Sequence, residues 1–294
     1  MAQSLAHRWG QIIGDVFELF VERVLADAAA KHGLYLDKKG RRPARPGKKV
    51  TWHDGYGNKH DLDYVLERGG SASTLGTPAA FIESAWRRYT KHSKNKVQEI
   101  EAAVSPVADT FSRHQPFRGA VLAGEFTHSA LQQLESKGFA LLHLPYASIL
   151  TAFDLLGIDA ASEDGAGGTT ERQFREKINA WQKQRQPQAS ETLLAEWNRI
   201  HASDIARFIR RLDESLTRRV LSVRLAVLRG HAVECADIPS AIEYLVNEAA
   251  SATLREDALE RTAFELQVRF SNQARIEATF PNRAEAIAFL RTFA

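Results

Sequence analysis

The chain has 294 residues, 44% of them hydrophobic and 26% charged, with a net charge of +3 and a single cysteine, Cys235. That length buries a sizeable core as one large or two ordinary domains, and a lone cysteine excludes an internal disulfide or a cysteine zinc cluster, so a reducing, cytoplasmic setting is expected. No apolar run is long enough to span a membrane, and the N-terminus lacks the charged-then-apolar layout of a secretory signal.

Charge is distributed unevenly. Residues 1–158 carry 20 Lys and Arg against 16 Asp and Glu, and residues 170–229 carry 13 against 7. Basic clustering of this kind suits a nucleic-acid partner and equally suits a solvated helical surface.

In chain order, residues 8–31 read as an amphipathic helix, with Ile12, Ile13, Val16, Phe17, Phe20, Val21, Val24 and Leu25 at helical spacing and Gly33 as its stop. Glu18 lies at the edge of the apolar stripe. Lys38–Lys49 is a basic loop punctuated by proline and glycine, with no apolar residue to anchor it in a core. Arg41, Arg42 and Lys48 in this loop are expected to track a phosphate backbone.

Val50–Asp54 and His60–Glu67 bracket Gly55-Tyr56-Gly57-Asn58, a hairpin signal. Period two places Asp61 and Asp63 on one face of the second arm and Leu62, Tyr64 and Leu66 on the other. After a loop, Ala79–Tyr89 reads as a strand with Glu83, Ala85, Arg87 and Tyr89 on one face. An acid inside an apolar strand is costly unless something compensates it, and a metal ion is one such compensation. Ser93 is a fit N-cap for a helix from Lys94 to about Thr110. Then follow strand Phe117–Gly124, helix His128–Lys137, strand Phe139–Pro145 and helix Ala147–Leu156. This alternation predicts an α/β fold: a mixed central sheet flanked by helices with right-handed crossovers.

Asp159–Thr170, small, acidic and rich in glycine, reads as a linker, dividing the chain into domains 1–158 and 171–294. Residues 171–230 are helical in pattern with Pro187 as a break, and Ala241–Ala263 continues as helix. A terminal hairpin, Phe264–Ser271 with Ala274–Phe280, precedes a last helix capped by Asn282. Arg207, Arg210, Arg211, Arg218 and Arg219 could serve duplex DNA or dimerisation. The ten histidines show no zinc spacing.

Hydrolysing a phosphodiester calls for a metal that polarises the phosphate and lowers the pKa of its water. Magnesium takes oxygen ligands, typically one or two carboxylates plus substrate phosphate, and a nearby lysine neutralises developing charge. Asp63, Glu83 and a lysine beyond the strand supply that set.

Three matches in sequence order carry a family resemblance: Gly14-Asp15-Val16-Phe17-Glu18 as a Gly-x-x-x-Glu helix, Asp63 after a hairpin, and Glu83-Ser84-Ala85 in an apolar strand followed by helix, strand, helix and strand. The order resembles the PD-(D/E)XK nuclease core over roughly residues 10–157, and in size and layout is similar to the type II restriction endonucleases. The resemblance implies a restriction-endonuclease-like core followed by a mainly helical part with a small hairpin. It implies a Mg²⁺-dependent (Mn²⁺ possible) endodeoxyribonuclease acting on double-stranded DNA as a homodimer, with Asp63 and Glu83 as metal ligands and Glu18 assisting. One position departs from the family: Ala85 stands where (D/E)-x-K has its lysine. Lys91 keeps strand parity with Glu83 and is the first choice for a relocated lysine; Lys94 and Lys96 are alternatives that also suit DNA contact, and Arg87 is a weaker one. The rival expectations are a catalytically inactive nucleic-acid-binding protein on the same fold, and a repair or RNA nuclease.

Overall fold

A computed structural model describes residues 4–163, 168–227, 232–251 and 263–293. The chain divides into two compact units, Met1–Leu216 and Thr217–Ala294.

The first unit is built on a five-stranded mixed sheet of order β1-β4-β5-β6-β7, made by β1 (Tyr35–Lys38), β4 (Tyr64–Arg68), β5 (Thr77–Arg87), β6 (Phe117–Gly124) and β7 (Ala140–Pro145). β1, β4 and β5 pair antiparallel, whereas β5, β6 and β7 run parallel. The parallel strands need helical crossovers, supplied by α2 (Ser93–Thr110) and α3 (His128–Ser136). A hairpin of β2 (Val50–His53) and β3 (Lys59–Leu62) packs on the same face as α2. There Val97, Ile100, Val104 and Val107, one helical stripe of α2, are fully buried against Phe81, Ala85 and Leu122. Burial of each such side chain contributes about 1.5–3 kcal/mol.

The opposite face is covered by α1 (Leu5–Lys31), α4 (Tyr146–Asp154), α5 (Glu171–Lys183), α6 (Gln186–Ile200) and α7 (Ala202–Leu216). Ser4 caps α1 by accepting the N–H of His7. Phe20 of α1 meets Trp197 of α6 edge to face, and Phe117 of β6 meets Phe208 of α7. Helices α5 to α7 therefore complete the core of the first unit instead of opening a second domain. The expected linker behaves accordingly. Ile158 and Ala160 are buried, the Trp9 indole donates to the Ala160 carbonyl, and Lys177 pairs with Asp159. The division of the chain falls between Leu216 and Thr217, not in residues 159–170. Helices that bury Phe174, Trp181, Leu193, Trp197 and Leu212 in the same cluster as α1 have no independent core to form.

The second unit holds a four-stranded antiparallel sheet of order β11-β10-β8-β9, from β8 (Val220–Val227), β9 (Ala232–Cys235), β10 (Phe264–Phe270) and β11 (Arg275–Phe280). Helices α8 (Ile238–Ser251) and α9 (Arg283–Arg291) share its core. The terminal hairpin and the Asn282 cap occur as expected. Residues 220–227, expected to be helical, form a strand: Val223 and Leu225 alternate inward, and tertiary pairing with β10 overrides the preceding helical run. The segment 252–262 of the expected helix Ala241–Ala263 lies outside the described residues.

Candidate metal and phosphodiester site

The hairpin does not run through Asp63 as one strand. β3 stops at Leu62 and β4 starts at Tyr64, so the chain bends at Asp63. The bend separates the apolar trio expected on one face: Leu62 joins the cluster under α2, whereas Tyr64 and Leu66 join the cluster under α1. Asp61 is turned outward on β3, where Lys49 and Thr51 donate to it at 2.5 and 2.6 Å. Asp63 alone reaches β5.

On β5 the alternation is regular. Phe81 and Ala85 face α2, and Ile82 faces α1; Glu83 therefore lies on the α2 side and Ser84 on the α1 side. Asp63 bridges the two. Its backbone N–H donates to Glu83 Oε1 at 3.0 Å, while its own Oδ2 accepts the Ser84 N–H at 2.9 Å and the Ser84 hydroxyl at 3.1 Å. Tyr64 is buried beneath α1.

Glu83 is 5% exposed. Burial first, and the neighbouring Asp63 charge second, push its carboxyl up to about 8, opposed by the Asp63 N–H and the Lys96 ammonium. Among the described residues Glu83 makes no ion pair with Arg87 or Arg88; the Arg87 guanidinium bonds the Trp86 carbonyl and Arg88 bonds Ser162. Glu18 sits one helical turn after Gly14, where α1 lies close to Trp86 of β5. Partial burial raises the Glu18 carboxyl, Lys39 lowers it, and Asp63, Asp15 and Glu22 raise it further. The Asp63 charge thus acts on both Glu18 and Glu83.

The lysines are placed differently from expectation. β5 ends at Arg87, and Lys91 lies in the 3₁₀ turn Thr90–His92, exposed. Strand parity therefore does not extend to Lys91. Lys96, half-buried on the first turns of α2, is the lysine whose charge acts on Glu83, and it also pairs with Glu99 at 3.5 Å. Ala85 is buried in apolar packing against α2, which explains why no lysine occupies that position. Lys94 is exposed on α2.

The basic loop splits into two sets. Arg42 is buried and does not face solvent: it forms a two-bond pair with Glu67 at 2.6 and 2.9 Å, meets Asp37 at 2.9 Å and donates to the carbonyls of Ser71 and Thr74. Arg45 holds Asp37 from the other side. Glu67 is fully buried, and a charge in that setting requires its partner. Arg42 is therefore an anchor and not a DNA contact. The loop lacks an apolar anchor, as its composition said, and is fixed instead by charge. Arg41 and Lys48 remain exposed and, with Arg42, Pro43, Arg45 and Gly47, line a cleft of about 440 Å³.

Ser84, Tyr64 and Lys39 were missed as site residues by pattern reasoning. Ser84 is the unspecified middle position of the motif, and Tyr64 counted only as an apolar strand residue. Among the described residues, no cluster of three or more His, Cys, Asp or Glu is arranged to hold a metal. Two carboxylates suffice for magnesium, whose remaining ligands are water and substrate. The donors here are all oxygen, and burial disfavours a bare Glu83 carboxylate, so the pair fits a hard divalent cation.

No protein-family model matches the chain, and no curated protein matches it. Among solved structures it is similar to the crystal structure of a protein of unknown function, AF1548, at 14% identity and a TM-score of 0.30, covering 64% of this chain and 98% of that one. So low a score bears on neither fold nor function. No described helix is long and apolar enough to cross a membrane.

Proposed function

We propose that this protein is a divalent-cation-dependent endonuclease of the PD-(D/E)XK kind that hydrolyses double-stranded DNA, as a site-specific restriction enzyme does. The observation that carries the reading is the juxtaposition of Asp63, at the bend before β4, with Glu83 of β5: the Asp63 N–H donates to the Glu83 carboxyl and the Ser84 N–H to that of Asp63. In this reading both hold Mg²⁺, or Mn²⁺ in its place. A cation bound there would supply positive charge to the phosphoryl oxygens and favour ionisation of an attacking water.

Each residue nearby has a part in keeping with its place. Asp63, fixed and partly exposed, offers a ligand oxygen to the open side. Glu83, buried and unfavourable as a bare anion, gains from a cation more than an exposed carboxylate would. Lys96 acts on Glu83 and is the proposed lysine for stabilising charge at the phosphate. Glu18, with its raised proton affinity, assists as acceptor of a proton from water. The exposed Arg41, Lys48 and Lys94 contact the phosphate backbone. A homodimer is proposed because cutting both strands of a duplex calls for two such sites.

Incubating plasmid DNA, linear DNA and RNA with the protein and Mg²⁺ or Mn²⁺ tests the reading. Discrete plasmid fragments, lost in Glu83→Ala with binding retained, are expected. Binding without cleavage under either metal would instead favour an inactive nucleic-acid-binding protein, the reading that buried Ala85 keeps open. Cleavage of RNA alone would move the substrate class.

A further inference from the structure

We infer that Ser84 is a positioning residue that selects which oxygen of Asp63 faces the cation. This rests on the site reading above. Asp63 Oδ2 receives two donors from one residue, the N–H of Ser84 at 2.9 Å and its hydroxyl at 3.1 Å. Among the described residues no hydrogen bond to Asp63 Oδ1 is formed, and on Glu83 only Oε1 accepts one. The two pinned oxygens and the two remaining oxygens therefore divide the pair into a structural half and a ligand half.

The backbone N–H alone would leave the Asp63 side chain able to turn about its terminal torsion, which is broad for a carboxylate. The second donor, from the side chain of the same serine, removes that freedom. The chain of hydrogen bonds runs Ser84, Asp63, Glu83. It crosses the sheet from the α1 face to the α2 face through one bend in the backbone. Ser84 is the polar exception among Phe81, Ile82, Ala85 and Trp86 on this strand beside Glu83.

The roles differ from those of ligands. Ser84 touches neither substrate nor, in this reading, the cation; it acts through Asp63. Partners that orient a metal ligand are commonly worth about 10- to 100-fold in metal affinity.

The test is Mn²⁺ titration of the full chain without DNA, read by electron paramagnetic resonance of the free ion, with thermal unfolding of the metal-free protein alongside. Wild type is expected to bind one ion more than Glu83→Gln. Ser84→Ala is expected to bind that ion about tenfold or more weakly, and Ser84→Thr to restore affinity through its hydroxyl. In cleavage assays the Mg²⁺ half-saturation should rise in Ser84→Ala while the rate at saturating Mg²⁺ is largely kept. A purely structural serine would lower metal-free stability without that pattern of rescue. Equal affinity in wild type and Ser84→Ala overturns the inference and leaves the site reading intact. Equal binding by wild type and Glu83→Gln overturns the site reading itself. Should Ser84→Ala fail to fold, Ser84→Cys, nearly the same size with a far weaker donor, carries the test: weakened affinity supports the inference and unchanged affinity overturns it.

Discussion

Asp63 and Glu83 hold each other in place: the N–H of Asp63 donates to the Glu83 carboxylate at 3.0 Å, and the N–H next to Glu83, that of Ser84, donates back to the Asp63 carboxylate at 2.9 Å. The bend between β3 and β4 makes the exchange possible. A continuous strand would have aimed Asp63 along the same face as Asp61, into solvent.

The raised proton affinity of Glu83 predicts how stability responds to pH. Its carboxyl rises from an ordinary 4.5 to about 8 in the folded chain, so between those values the native state binds the proton and the unfolded state does not. Stability from this group is full below about 4.5 and is lost as pH rises toward 8, with a slope on the order of 1 kcal/mol per pH unit. Metal-free melting temperatures from pH 5 to 8.5 should fall in wild type and flatten in Glu83→Gln. Added Mg²⁺ should stabilise the wild type more at pH 8 than at pH 6. A wild-type profile as flat as that of Glu83→Gln would argue against the buried proton.

The loop arginines should separate cleanly. Removing Arg42 strands the buried carboxylate of Glu67 and leaves Asp37 to Arg45 alone, a loss of about 3–5 kcal/mol in chemical denaturation. Arg41→Ala and Lys48→Ala should change stability by no more than about 0.5 kcal/mol. Each should instead reduce the salt slope of DNA binding by about 0.9 for every phosphate that is no longer neutralised. Unchanged salt dependence in both would remove this loop from the DNA interface.

Among the lysines, Lys96→Ala is expected to reduce cleavage about 100-fold or more, the scale of losing one charge-stabilising donor. Lys91→Ala, at an exposed turn beyond the end of β5, should stay within a few-fold of wild type. Single-turnover rates at saturating Mg²⁺ decide between them, and the reverse order would restore Lys91 to the site.

The unit boundary is testable by truncation. A chain ending at Leu216 should be soluble and unfold in one cooperative transition, because Phe208 and Leu212 remain to cover the sheet. A chain ending at 158 removes α5 to α7 and bares the Phe20, Phe153 and Phe117 surfaces they pack on. It should aggregate or expose hydrophobic surface to dye. Cooperative folding of the shorter piece would return the boundary to the linker.

The linear chain determined most of the frame of the first unit. Periods of 3.6 and 2 located α1, β5, α2, β6, α3 and β7 because local spacing decides which face is apolar, and the acid in β5 marked itself by its neighbours. What local spacing cannot carry is whatever depends on packing between distant residues. Helices α5 to α7 looked separate because their apolar stripes do not say which core they cover. Val220–Val227 became a strand because β10 pairs with it. Arg42 looked like a surface cation until Glu67, 25 residues on, enclosed it. Lys91 looked closer to Glu83 than Lys96 because sequence parity was extended past the end of β5, whereas the turn into α2 is what brings Lys96 back. Asp63 and Glu83 were legible as acids beside apolar neighbours; the bend at Asp63 and the donors on Ser84, which only the fold supplies, make them a pair.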